Sequence, residues 1–143
     1  MDQRQKIEIY KRIRELDSET TLTALQEDLI DRFGDYPAAV TNLLNVGYTK
    51  LLADSALVER IQQKKGQLLV TLSATGTETI QAEDVFQALS ATKLRATVKM
   101  QGQQLLVTLI IQPKMTQTVW LTELQQFLKQ LATFTQKSTE KVG

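Results

Sequence analysis

Three carboxylates lie close together in this sequence, at Glu27, Asp28 and Asp31. The apolar residues around them recur at helical spacing. This spacing predicts that the acids share one helix face with Ala24, within about 100° of one another and opposite the leucines. Asp28 and Asp31 fall in the last two turns of this helix. Carboxylates are disfavoured there, because unpaired carbonyl groups make the end of a helix negative.

Two interpretations of this acidic face stay open at this point. Arg32 can pair with Asp28 at i,i+4 spacing, so the face can be ordinary solvated surface. Alternatively, the face binds a basic partner, since a local conflict with the fold marks a place where function is expected. The candidate partner-binding residues are then Glu27, Asp28, Asp31 and Arg32. We also expect alanine at positions 28 and 31 to leave the chain folded and slightly more stable, because the conflict is relieved.

The remaining residue types limit the chemistry that the chain can perform. The sequence contains no histidine and no cysteine, so a Ser–His or Cys–His nucleophilic site is excluded and a zinc site is not expected. No glycine-rich loop of the GxxxxGKS/T type is present, which argues against nucleotide binding through a P-loop. We therefore predict no catalytic residue, no cofactor and no metal site in this chain.

One acidic pair and two basic groups have both a structural and a functional interpretation. Glu83 and Asp84 stand at the start of a predicted helix, where their charge suits the helix dipole, although a small carboxylate hydrolase would use such a pair. Two basic groups lack interleaved aromatic residues, so we interpret them as solvated surface, with a weak phosphate contact as the alternative. These groups are Lys64 with Lys65, and Lys93 with Arg95 and Lys99.

Composition indicates an ordinary globular chain. The 143 residues are 42% hydrophobic and 23% charged, with a net charge of +1, so no overall field favours DNA or a membrane. No apolar run of about 18 residues and no secretory signal is visible. The absence of cysteine fits a reducing compartment, and we expect a cytoplasmic location.

The first third of the chain has helical periodicity. It predicts three helices. The first covers 3–16, the second runs from a cap at Ser18 or Asp17 to about Phe33, and the third follows Gly34 and ends near Ser55. Gly34 is predicted to stop the second helix, and Pro37 suits the first turn of the third. The expected core residues of the first two helices are Ile7, Ile9, Tyr10, Ile13, Leu16, Leu22, Leu25, Leu29, Ile30 and Phe33.

After residue 57 the periodicity changes to that of strands. Strands are predicted over 57–61, 68–72, 94–100 and 105–111, with turns at 64–66 and 101–103 and a break at 75–77. Helices are predicted over 82–89 and about 117–135, before a frayed tail at 137–143. The expected fold class is α+β, a three-helix segment followed by β-β-α-β-β-α with a small antiparallel sheet packed against helices. We predict one domain with a helical half over 3–56 and an α+β half over 57–136.

One part of the sequence resembles a known family. The stretches KIEIYKRI at 6–13 and EDLIDRFGDYP at 27–37, followed by Val40 and Asn42-Leu43-Leu44, resemble the C-terminal domain of bacterial transcription-repair coupling factors, the Mfd family. The resemblance covers about residues 6–55. Beyond residue 57, the general order of elements alone is similar.

The resemblance implies a regulatory domain of a larger machine. The parent is expected to be a translocase on double-stranded DNA, with ATP and Mg in its motor, that displaces stalled RNA polymerase. A UvrB-like module of the parent then recruits the repair protein UvrA. The resemblance implies that this domain masks the module, with Asp28 and Asp31 at the family's acidic positions and Glu27 beside them.

The same resemblance limits what this chain does alone. The motor motifs are absent, so we expect no ATPase activity from it, and we expect Met1 to mark the start of a fragment. The alternative is a free-standing adaptor that binds another basic protein through the same acidic face.

Overall fold

The computed structural model describes residues 3–34 and 38–142, with side chains for all of these except 39 and 136–142. The chain forms two compact units, Met1–Leu51 and Leu52–Gly143. Among the described residues, no helix combines the length and the apolar character needed to cross a bilayer. The helices are α1 Gln3–Arg14, α2 Glu19–Phe33, α3 Ala38–Ser55, α4 Ala74–Thr79, α5 Ala82–Leu89 and α6 Gln117–Val142; the strands are β1 Val58–Lys64, β2 Gln67–Leu72, β3 Arg95–Gln101 and β4 Gln104–Ile110.

Three helices enclose the core of the first unit. The Ser18 hydroxyl caps α2 by accepting from the backbone N–H of Thr21. In turn, the Thr21 hydroxyl oxygen accepts from the backbone N–H of Ser18. Gly34 ends α2 at a φ of 70°, which a residue without a Cβ adopts readily. Both predicted ends of α2 are thus confirmed, while Pro37 lies outside the described residues. The core side chains are Ile9, Ile13, Leu16, Leu22, Leu25, Leu29, Val40, Leu44 and Leu51.

The prediction of core positions is wrong for three residues. Ile7 is 62% exposed, Tyr10 is 42% exposed and Ile30 is 53% exposed. Each stands at the margin of its apolar stripe, about 100° or more from the middle of the buried residues. Buried neighbours cover a narrower sector of each helix than the spacing of apolar residues suggests.

The second unit is built on an antiparallel sheet of strand order β1-β2-β4-β3. One sheet face carries Leu68, Val70, Leu72, Val107 and Leu109, each at most 2% exposed. The helices contribute the other side chains of this core, among them Val85 of α5 and Phe127, Leu128 and Leu131 of α6, all fully buried. This arrangement confirms the α+β class and the predicted order of helices and strands, to which the short helix α4 is added.

The opposite face of the sheet, here called the outer face, is formed by three cross-strand rows. The cross-strand pairing places these residues opposite one another: Arg60, Thr71, Leu106 and Lys99 in the first row; Gln62, Leu69, Thr108 and Thr97 in the second; Lys64, Gln67, Ile110 and Arg95 in the third.

Two element boundaries differ from the prediction. The segment expected to be a break forms the short helix α4, because the Ser73 hydroxyl accepts from the backbone N–H of Gly76 at 3.0 Å and caps the first turn. The last helix continues to Val142 instead of ending near residue 135. Its polar final turns carry no periodic signal, so spacing alone did not predict the extension.

Candidate partner-binding face of helix α2

Helices α1 and α2 are joined by a network of ion pairs at the predicted acidic face. Asp28 Oδ2 accepts from Arg12 Nη1 at 2.5 Å and lies 3.6 Å from Arg32 Nη1. Arg32 Nη1 is also 3.5 Å from Glu8 Oε1. Position 8 therefore meets position 32 and position 12 meets position 28, as expected for antiparallel helices. Counter-charges for Asp28 come from its own unit.

This environment changes the acidity of Asp28. The hydrogen bond from Arg12 holds the pKa of the Asp28 carboxyl below its ordinary value of 3.8, and the charges of Arg12 and Arg32 act in the same direction, although partial burial opposes them. The conflict with the helix end is therefore compensated at this position. The structure reverses the expectation for alanine at position 28, since that change removes the partner of two arginines.

Glu27 and Asp31 are in a different situation. Both are exposed, and within the described part of the chain neither takes part in an ion pair. Ile30 is 53% exposed and lies beside Glu27, about 60° away around the helix axis. The solvent face of the helix thus combines two free carboxylates with an apolar side chain, which suits a partner surface that is basic and partly apolar.

A shallow depression continues this face toward the start of α2. It has a volume of about 410 Å³ and is lined by Glu19, Thr20, Thr23, Ala24 and Glu27. Two carboxylates and two hydroxyl groups therefore border an open recess, where a guanidinium or ammonium group would find several acceptors.

Arg32 belongs to the supporting network more than to the free surface. Its guanidinium lies near both Glu8 and Asp28 and is 5.4 Å from the centre of the Phe33 ring. Sequence spacing predicted the contact with Asp28 but missed Arg12 and Glu8, which belong to another helix. The concentration of basic residues in α1 was the available signal for such a partner.

The carboxylates considered for hydrolysis have a structural role. Asp84 Oδ2 accepts from the backbone N–H of Gln81 at 3.0 Å, which caps α5. Glu83 is exposed in the first turn of the same helix. This placement agrees with the interpretation that their charge suits the helix dipole. Within the described residues, no group of three or more acidic side chains is arranged to hold a metal ion.

Comparison with known proteins connects this fold to one family. The family model of the TRCF domain matches residues 1–83, more than half of the chain. A transcription-repair-coupling factor of Staphylococcus epidermidis is 38% identical over 104 residues, which cover 73% of this chain and 9% of that protein. The Bacillus subtilis factor is 32% identical over 108 residues, covering 76% of this chain and 9% of its own length.

A solved structure extends the similarity to nearly the whole chain. The crystal structure of a C-terminal domain of transcription-repair coupling factor matches with a TM-score of 0.85 and 34% identity, covering 95% of this chain and 84% of that chain. Our chain spans about a tenth of the length of the relatives named above. The chain therefore belongs to the transcription-repair coupling factor family, in which it corresponds to the C-terminal domain.

Proposed function

We propose that this domain is the regulatory end of an ATP-dependent translocase on double-stranded DNA, which removes stalled RNA polymerase and recruits UvrA. In the resting parent, the α2 face binds a basic surface of the UvrB-like module and masks it from UvrA. Glu27 and Asp31 make the direct contacts, while Asp28 and Arg32 hold α1 against α2 and keep this face in place. The ATP and Mg of the parent belong to a motor outside this chain.

The observation that supports the proposal is the pair of unpaired carboxylates at Glu27 and Asp31. Asp31 lies in the last turn of α2, where negative charge is disfavoured, and within the described residues neither Glu27 nor Asp31 takes part in an ion pair. Asp28, which stands beside them, is already paired with Arg12. The face therefore has a supported part and a free part, as expected of a binding surface held by a second layer of side chains.

A masking contact must also release. An interface of exposed charge pairs is weak, and it shifts the equilibrium between masked and open forms by its differential contacts alone. A coupling on the order of 5- to 150-fold is typical of such a switch. That range holds UvrA binding low in the resting parent and still allows opening when the motor engages polymerase.

The test uses the full-length parent carrying Glu27→Gln together with Asp31→Asn. These isosteric changes remove both free charges and leave the Arg12–Asp28 pair intact. We expect UvrA binding and basal ATPase activity to rise several-fold, as measured by pull-down and by phosphate release. Direct binding of this domain to the isolated UvrB-like module should fall in parallel.

The matched control removes two exposed carboxylates elsewhere, with Glu15→Gln and Asp54→Asn. It should behave as the wild type. If both double variants raise UvrA binding equally, net charge and not the α2 face controls masking. If the domain does not bind the isolated module at all, the adaptor interpretation with another basic protein replaces the proposal.

A further inference from the structure

The outer face of the sheet carries a cation at each of its four corners. Arg60 and Lys99 end the first row, and Lys64 and Arg95 end the third. All four side chains are exposed. At strand spacings of about 4.8 Å and a rise of about 3.3 Å per residue, the corners outline a rectangle of roughly 14 by 13 Å. Residues from strands far apart in the sequence thus form one basic surface.

The three rows themselves contain no carboxylate. The outer-face positions between the corners carry hydroxyl, amide and aliphatic side chains. Within the described residues, none of the four cations takes part in an ion pair. The adjacent Glu59 accepts a hydrogen bond from the Gln104 side chain at 2.6 Å. Positive charge on the outer face is therefore left for an external anion.

The spacing and the chemistry favour one kind of anion. Double-stranded DNA carries one negative charge per about 1.7 Å of axis, so a basic surface of this size can contact several phosphates. Between the cations, Gln62, Gln67 and Thr97 are exposed and can donate to phosphate oxygens, whereas Thr108 is buried. The outer face has no aromatic side chain on which the bases of a single strand could stack. The major groove admits an α-helix or a two-stranded ribbon, so the face of a four-stranded sheet is too wide to reach base edges there.

We propose that the outer face binds the phosphate backbone of duplex DNA, independently of base sequence, through Arg60, Lys64, Arg95 and Lys99. This contact is separate from the α2 face, and it does not depend on the masking function. Through this contact the C-terminal domain would bind DNA directly.

Fluorescence anisotropy with a labelled 20-bp duplex tests the proposal on the 143-residue chain. Non-specific affinities of about 10⁻⁴ to 10⁻⁶ M are expected, and four phosphate contacts predict a slope of about −3.6 for log K against log salt concentration. The single variant Lys99→Gln should make this slope shallower by about 0.9. The quadruple variant Arg60→Gln, Lys64→Gln, Arg95→Gln, Lys99→Gln should abolish binding.

The matched control changes two arginines and two lysines of α1, with Arg4→Gln, Lys6→Gln, Lys11→Gln and Arg14→Gln. It lowers the net charge by the same amount and should keep the wild-type affinity and slope. Circular dichroism checks folding, and the single variants Lys64→Gln and Lys99→Gln decide the matter if the quadruple variant unfolds.

Three results would overturn the proposal. The first is no binding of the duplex at low salt. The second is an equal loss of affinity in the two quadruple variants, which would indicate a response to net charge alone. The third is competition by poly-glutamate as strong as that by unlabelled duplex at equal charge, which would assign the outer face to an acidic protein.

Discussion

Asp28 and Asp31 stand three positions apart on α2, yet their electrostatic surroundings are opposite. Asp28 lies between two guanidinium groups, whereas Asp31 is exposed and, within the described residues, has no ion pair. Sequence spacing placed both on one face but could not distinguish them, because the deciding partner, Arg12, comes from a helix 16 residues earlier. A local pattern identifies candidates, and a long-range contact assigns their roles.

This difference predicts opposite effects of two conservative substitutions. Asp28→Asn should lower the thermal unfolding midpoint at pH 7, because two arginines lose their anionic partner. Asp31→Asn should leave the midpoint unchanged or raise it slightly, since it removes an unfavourable charge near the helix end. Differential scanning calorimetry of both variants makes the comparison. Equal midpoints would contradict the structural assignment of Asp28.

The lowered pKa of Asp28 gives a pH dependence of known sign. A carboxyl whose pKa is lower in the folded state stabilises that state at pH values above the unfolded pKa. The advantage of the wild type over Asp28→Asn should therefore be complete at neutral pH. It should shrink as the pH falls below about 3.8 and vanish below the folded pKa. Unfolding midpoints measured from pH 7 to pH 2 test this, and a constant difference would refute it.

At the scale of elements, two helical glycines lie close to very different neighbours. A Cβ at Gly76 would stand 2.6 Å from the backbone oxygen of Leu57, whereas a Cβ at Gly47 would meet the ends of the Leu16 and Ile13 side chains at 2.9 and 3.0 Å. Side-chain ends can shift by a few tenths of an ångström, but a backbone oxygen that accepts from Ser73 N–H cannot move freely.

This contrast predicts the ranking of two alanine substitutions. Gly76→Ala should reduce the free energy of unfolding by about 1–3 kcal/mol, the usual cost of overpacking. Gly47→Ala should stay within about 1 kcal/mol of the wild type, because the gain in helix propensity offsets the crowding. Chemical denaturation of both variants provides the measurement. A larger loss for Gly47→Ala would mean that the contact between α4 and Leu57 is not rigid.

The same glycine shows why α4 was missed from the sequence. Six residues rich in threonine have weak helix propensity, so the segment looked like a break. Its helix depends on the cap from Ser73 and on a close approach to Leu57, which lies 19 positions before Gly76. Apart from the extension of α6 to Val142, the longer helices and all four strands were predicted to within a few residues, because their signals are periodic and local.

At the scale of the whole molecule, the chain divides charge between its two units. Residues 1–51 hold seven basic and nine acidic groups, and residues 52–143 hold ten basic and seven acidic groups. The excess of acidic groups in the first unit and of basic groups in the second largely cancel, which leaves a net charge of +1 for the whole chain. This division matters because the proposed partners have opposite character, with a basic protein surface at α2 and a polyanion at the outer face.

The two-unit division predicts that residues 52–143 fold without the first unit. Their core contains side chains with no exposed surface, including Val70, Val107, Phe127 and Leu131, and a chain of this size can bury enough apolar area. We expect mixed α and β circular dichroism and a cooperative thermal transition from this fragment. The 51-residue first unit should be less stable alone, because a core that small is marginal. A non-cooperative transition for residues 52–143 would contradict the prediction.

The two halves of the chain differ in how much the sequence predicted about them. Sequence motifs indicated the family across about residues 6–55. The sequence predicted one domain whose halves meet at residues 56 and 57, and the chain divides into two compact units between Leu51 and Leu52. The sheet order and the outer face were not predictable in the same way. Lys64 and Arg95 are 31 residues apart in the sequence. They share one cross-strand row only because β2 pairs with β4.

The irregularity between Val58 and Arg60 in β1 determines which side chains of this strand face outward. Val58 points inward opposite Leu72, so a regular strand would also turn Arg60, Gln62 and Lys64 inward. One additional residue reverses the alternation and sets Ile61 opposite the buried Val70 instead. A strand that kept Glu59 but paired it regularly with Thr71 would turn Arg60 and Lys64 toward the apolar core. The extra residue therefore decides on which face of the sheet the two cations of β1 stand.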